Sequence, residues 1–154
     1  MKQQREVDTR WMRRAIELSY ECPLSEGAYS VGAVIIDADG QEIATGYSRE
    51  TDPKVHAEES ALAKLPADDP RLKGATIYST LEPCSQRASR PRACTQLILD
   101  AGIPRVVIAW REPSLFVENC IGVESLKQHG VHVTEMSELA NEAKGANTHL
   151  DLSP

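Results

Sequence analysis

His56, Glu58, Cys84 and Cys94 are the residues of this chain whose types and order suggest chemistry. One imidazole and two thiols are three ligands of the kind zinc prefers. Three protein ligands leave the fourth tetrahedral position to a water, which is the arrangement of a catalytic site rather than a closed structural one. Glu58 stands two residues after His56, near enough to lean over the same site without ligating, and from there a carboxylate could take a proton from that water. The two cysteines enclose nine residues, "SQRASRPRA". A disulfide is the competing reading. The N-terminus has no apolar stretch of signal-peptide length, however, and in a reducing compartment two cysteines this close are more often ligands or catalytic groups.

Arg87, Arg90 and Arg92 fall between the two cysteines, so their loop starts and ends at the candidate site. Solvated surface arginines are the plain alternative, because arginine is mostly exposed. The functional reading is that one or two of them hold a phosphate or a polar edge of a substrate through the bidentate guanidinium geometry. Arg90, standing before Pro91, is the foremost candidate, with Arg87 beside it. Ala57, between the ligand and the carboxylate, and Trp110, at the end of an apolar strand, are further candidate substrate contacts, as is Phe116 beyond it. Glu82 reads as a loop carboxylate accepting backbone N–H bonds, and Cys22 and Cys120 as partly buried thiols.

Such residues need elements to hold them. Residues 9–21 carry apolar positions at helical spacing, with Asp8 or Thr9 as a candidate N-cap and Pro23 as a stop. "SVGAVIIDADGQEIATGYS" predicts a hairpin around Asp39-Gly40, and "HAEESALAKL" a helix ending before Pro66. "ATIYST" predicts a strand, "ACTQLILDAG" a helix closed by Gly102, and "RVVIAW" a buried strand. "GVESLKQHG" and "VHVTEM" continue with a helix and a strand, and "SELANEAKGA" with a weaker last helix. Both chemical segments thus open predicted helices that follow strands. The alternation implies a three-layer α/β/α sandwich on a central mixed five-stranded sheet, mostly parallel with a hairpin at its beginning.

The chain has 154 residues and 16.9 kDa, which fits one domain spanning 1–154. Hydrophobic residues make up 41% and charged residues 26%, without low-complexity runs, so an ordinary globular core is expected. The net charge of −6 and pI of about 5.2 provide no positive field for a long nucleic acid. No apolar run is long enough to span a membrane, and a cytoplasmic location is expected.

His-Ala-Glu alone, or Pro-Cys alone, is a weak signal. In this order and context they form the zinc deaminase signature H-x-E followed by P-C and a second cysteine. The sequence resembles the cytidine-deaminase-like superfamily and, within it, the pyrimidine deaminase domain of riboflavin biosynthesis, through "HAEESAL", "TLEPCS", the proline-bearing insertion before Cys94, "AGIPRVVIA" and "GVHV". The resemblance implies a Zn²⁺ hydrolase with His56, Cys84 and Cys94 as ligands and Glu58 as proton carrier, releasing ammonia from a pyrimidine-type nucleotide or nucleoside. It also implies a small amino-heterocycle as substrate, a homodimer or tetramer, and a stand-alone deaminase, since 154 residues do not hold the reductase to which such domains are often fused. The chain departs from that group in the nine-residue spacing, where eight is expected. It also departs in Gly27-Ala28-Tyr29-Ser30, where a Pro-Asn-Pro element is usual, and in "REPSLFVENCIG". The departures fall where substrate recognition is expected. Competing readings are a deaminase of another small heterocycle from a secondary-metabolite pathway, a non-catalytic zinc-stabilised binding module, and a nucleic-acid editing enzyme.

Overall fold

Near-continuous apolar runs become inner strands and alternating ones become edges, and this sorting sets the sheet. The computed structural model describes residues 2–85, 92–111, 113 and 120–150. Its strands are β1 (Gly32–Ile36), β2 (Glu42–Tyr47), β3 (Thr76–Leu81), β4 (Arg105–Trp110) and β5 (His132–Glu135). β1 is buried at every position and β3 and β4 at all but the first, as strands covered on both faces must be. β2 alternates and β5 is half-exposed, and these two lie at the edges of the order β2-β1-β3-β4-β5.

The helices are α1 (Lys2–Ser19), α2 (Ala57–Ala63), α3 (Cys94–Ala101), α4 (Gly122–Gln128) and α5 (Ala140–Lys144). α1 and α5 touch each other and lie on the sheet, while α2, α3 and α4 contact one another in series on the opposite side. The three-layer arrangement expected from the sequence is therefore present. Its core joins the strand residues Val34, Ile35, Ile77, Val106 and Ile108 to Met12 and Ala15 of α1 and Ile98 of α3. Among the described residues no helix is long and apolar enough to cross a membrane.

Two expectations are corrected. The sheet is not mostly parallel: β1 pairs antiparallel with both β2 and β3, and only β3-β4 and β4-β5 are parallel. The hairpin inserts β1 between β2 and β3, so the β2-α2-β3 connection crosses over one strand instead of joining neighbours. Nor does the first helix start at Asp8 or Thr9. It starts at Lys2, because the preceding "KQQRE" is made of strong helix formers. Asp8 is buried inside the helix, where its carboxylate accepts hydrogen bonds from Arg105 of β4 (2.9 and 2.7 Å), from Tyr78 of β3 (2.6 Å) and from Gln4 (3.0 Å). Burial pushes the Asp8 carboxyl up, but the bonds from Arg105, Tyr78 and Gln4 outweigh it and hold the group below the usual carboxylate range.

Candidate metal centre

Strand direction gathers the chemistry at one end of the sheet. β3 and β4 end there at Leu81 and Trp110, β2 ends there at Tyr47, and antiparallel β1 starts there, with Gly32 N donating to Thr80 Oγ1 at 3.2 Å. The chain leaving β2 runs through residues 48–55 to His56, which caps α2 in an extended conformation (φ −90°, ψ 160°). The Glu59 carboxylate accepts the His56 backbone N–H at 3.3 Å, fixing how the imidazole leaves the helix. Glu50 in the preceding loop accepts from Ser60 Oγ and Lys64 Nζ, at 2.6 and 2.8 Å, and ties α2 to that loop.

α2 also lies directly on β2. A Cβ at Gly46 would stand 2.4 Å from Ala57 O and 2.5 Å from Ala61 N, so only glycine allows this approach.

The chain leaving β3 turns at Glu82-Pro83 to present Cys84, and Cys94 is the first residue of α3. The start of α3 wraps this turn: Cys94 N donates to Cys84 Sγ at 3.2 Å and Thr95 N to Cys84 O at 3.1 Å. From the other side Glu82 Oε2 accepts the Val123 N–H of α4 at 2.9 Å, and Ser85 Oγ accepts the Ile121 N–H at 3.2 Å. Gly122 completes the fit, since a Cβ there would lie 2.1 Å from Pro83 O. Glu82 is thus the backbone-binding loop carboxylate expected from the sequence. Its partner lies 41 residues away, a pairing that only the fold reveals.

His56 Nδ1 lies 3.4 Å from Cys94 Sγ and 3.7 Å from Cys84 Sγ, and the three donor atoms fall within 4.8 Å of one another. Zinc–sulfur and zinc–nitrogen distances of about 2.3 and 2.0–2.1 Å in a tetrahedron require N···S separations of about 3.6 Å, so the donor set fits that ion. Hydrogen bonding from Cys94 first, and then from His56, overcomes burial and pulls the Cys84 thiol down to about 4. The shift favours the thiolate, the form in which cysteine binds a metal. None of the four cysteines is in a disulfide.

Glu58, the second residue of α2, is 4% exposed. Ala57 is fully buried, with its carbonyl against Gly46. Trp110 reaches the same sheet end, 8% exposed, its ring 5.6 Å from that of Tyr29 in an edge-to-face contact and under Lys144 Nζ at 5.2 Å. Of the three loop arginines, Arg92 pairs with Asp100 on the outer surface of α3, the plain surface role. Arg87, Arg90 and Phe116 lie outside the described residues.

The profile of the family described as "Cytidine and deoxycytidylate deaminase zinc-binding region" matches residues 5–110. The chain belongs to this family. Its members' zinc and this chain's His/Cys/Cys donor set agree. Within the deaminase family, the chain is 42% identical over 127 residues to the diaminohydroxyphosphoribosylamino-pyrimidine deaminase of Schizosaccharomyces pombe, a match that covers 81% of this chain and 31% of that protein. A crystal structure of a diaminohydroxyphosphoribosylaminopyrimidine deaminase/5-amino-6-(5-phosphoribosylamino)uracil reductase from Thermotoga maritima superposes with a TM-score of 0.74 at 35% identity, covering 92% of this chain and 39% of that one. The Rib2 deaminase of Aspergillus oryzae shares the fold, with a TM-score of 0.78 at 24% identity over 90% of this chain and 89% of that one. The chain spans about a third of the length of the curated relatives it matches, at 31% and 35% for two of them.

Sequence reasoning missed Asp8, Arg49 and Asn147. Asp8 was visible only as a helix cap, and no local pattern marks a carboxylate whose partners lie 70 and 97 residues away.

Proposed function

We propose that residues 1–154 form one deaminase domain that hydrolyses the exocyclic amine of a diaminopyrimidine nucleotide of the riboflavin pathway. The observation that carries the reading is the triangle of His56 Nδ1, Cys84 Sγ and Cys94 Sγ, with the buried Glu58 two residues after His56, in a chain 42% identical to a deaminase of that substrate class. His56, Cys84 and Cys94 would hold the zinc. When bound, zinc supplies Lewis acidity that lowers the pKa of water from about 15.7 to about 7, making a nucleophile available at neutral pH.

The rest is work for this chain's own side chains. Glu58 accepts a proton from the attacking water and delivers it to the ring nitrogen beside the amine-bearing carbon, then takes the remaining proton from the new C–OH group and delivers it to the departing amine. The new C–O bond replaces the C–N bond, ammonia leaves and a carbonyl remains. Burial of Glu58 keeps bulk water from competing for these protons. Arg87 or Arg90 supplies the bidentate donor for the phosphate, and Ala57 and Trp110 border the heterocycle. The partners are the small molecule and further copies of the same chain, as a homodimer or tetramer, in the cytoplasm.

The test combines metal analysis with ammonia release on the diaminopyrimidine nucleotide, a cytidine nucleotide and free bases. Glu58→Ala should keep its zinc while turnover drops by about 10²-fold or more, the scale of lost general acid–base catalysis. Unchanged turnover on a verified substrate refutes the assignment.

A further inference from the structure

Segment 23–30 has no regular structure, yet it leads into β1 at the sheet end where the metal ligands gather. The donor atoms come from the start of α2, the turn at 82–85 and the start of α3, and this segment enters β1 at the same sheet end. Its backbone is held by side chains instead of by a neighbouring strand. Asn147 brackets Ser30, accepting its N–H at 2.6 Å and donating to its carbonyl at 3.1 Å, and His149 Nε2 reaches the Ser25 carbonyl at 2.8 Å.

The third clamp is Arg49. Its Nε donates to Pro23 O at 2.8 Å, one terminal nitrogen to Tyr29 O at 3.1 Å and the other to Ser30 Oγ at 3.1 Å. Among the described residues Arg49 is the one non-glycine with a positive φ, 61°. The left-handed region is unfavourable for a residue with a Cβ, and glycine would occupy it freely. The backbone here therefore argues against arginine, and the three hydrogen bonds of its side chain argue for it. Its own N–H donates to Val55 O at 2.8 Å and closes the loop whose next residue is His56. One residue thus contacts both the segment that leads into β1 and the turn that delivers a candidate metal ligand.

We infer that Arg49 is a positioning residue that sets segment 23–30 against the metal-binding turn and so determines how tightly substrate is held. Its effect on KM rests on the deaminase reading proposed above. The clasp uses all three guanidinium nitrogens toward three separate acceptors, a pattern that a lysine ammonium on a flexible stem does not reproduce.

Arg49→Gly relieves the backbone and deletes the clasp, while Arg49→Lys keeps the charge and the backbone cost. Both are measured by hydrogen–deuterium exchange over residues 23–31, by zinc stoichiometry, and by steady-state kinetics on the substrate panel. Exchange over 23–31 should rise by about 10-fold or more, as expected when a local clamp is lost. KM should rise by about 10-fold with kcat within about 3-fold and zinc retained, the pattern of lost ground-state binding. Faster exchange with an unmoved KM reduces Arg49 to a structural clamp and overturns the inference, as does full rescue by lysine or loss of zinc. If the wild-type chain deaminates nothing in the panel, the deaminase reading falls. Exchange then still decides whether Arg49 holds the segment, and unchanged exchange overturns the inference.

Discussion

Replacing Gly46 with alanine tests whether α2 is seated where the metal centre needs it. The new Cβ would meet Ala57 O at 2.4 Å and Ala61 N at 2.5 Å, both on the helix backbone, against an ordinary contact of about 3.5 Å. Neither atom can rotate away, so α2 must retreat from β2 by roughly 1 Å. His56 caps that helix and moves with it, whereas Cys84 and Cys94 are held by α3 and α4. The Nδ1 to Sγ separations, now 3.4 and 3.7 Å, would widen well beyond the tolerance of about 0.2 Å that a ligand set allows. Zinc affinity should fall by about 10- to 100-fold, the scale seen when groups supporting metal ligands are lost, and stability by about 1–3 kcal/mol from overpacking. Competition against a chromophoric chelator reads the affinity and thermal melting reads the stability. Gly40→Ala is the control: its φ of +82° strains any side chain, but nothing lies within 4 Å and it is far from the site, so it should melt earlier with zinc affinity intact. Wild-type affinity in Gly46→Ala, or an equal loss in both variants, refutes the reasoning.

Asp8→Ala leaves Arg105 and Tyr78 without their acceptor in a largely buried setting, which should cost about 3–5 kcal/mol and about 6–20 °C in melting temperature, with zinc content unchanged. Because the folded state depresses the Asp8 carboxyl below its unfolded value of about 3.9, its contribution is complete above that pH and is lost as pH falls through the folded value. The wild type should therefore lose more stability than Asp8→Asn between about pH 4 and the acid limit, as read by denaturant titration at several pH values. Glu82→Ala removes the acceptor of the Val123 N–H and should cost about 1–3 kcal/mol while speeding chelator extraction of the metal, since the turn carrying Cys84 loses a brace. Stripping zinc should lower the melting temperature by an amount that returns on adding metal back, about 2.7 kcal/mol at a hundredfold excess over Kd, and Cys94→Ser should abolish that gain.

The candidate centre was legible in the sequence because ligand chemistry depends on residue type, and the two motifs sit where helices start after strands. The element order was legible for the same reason: apolar periodicity and the glycines at 40 and 102 are local signals. Strand direction was less so. Parallel pairing follows from helical crossovers for β3, β4 and β5, but the insertion of the hairpin strand β1 beside β3 depends on which edges find each other in three dimensions.

By itself, then, the sequence determined the donor set, a carboxylate two residues from His56 and the layered α/β class. Each is a property of side-chain chemistry or of patterns only a few residues long. Only the tertiary structure decided that Asp8 is a buried anchor and not a cap, that Glu82 braces the Cys84 turn through α4, and that Arg49 grips the segment leading into β1. Those roles belong to pairs of groups 19 to 97 residues apart, whose partnership costs chain entropy to form and leaves no trace in local spacing.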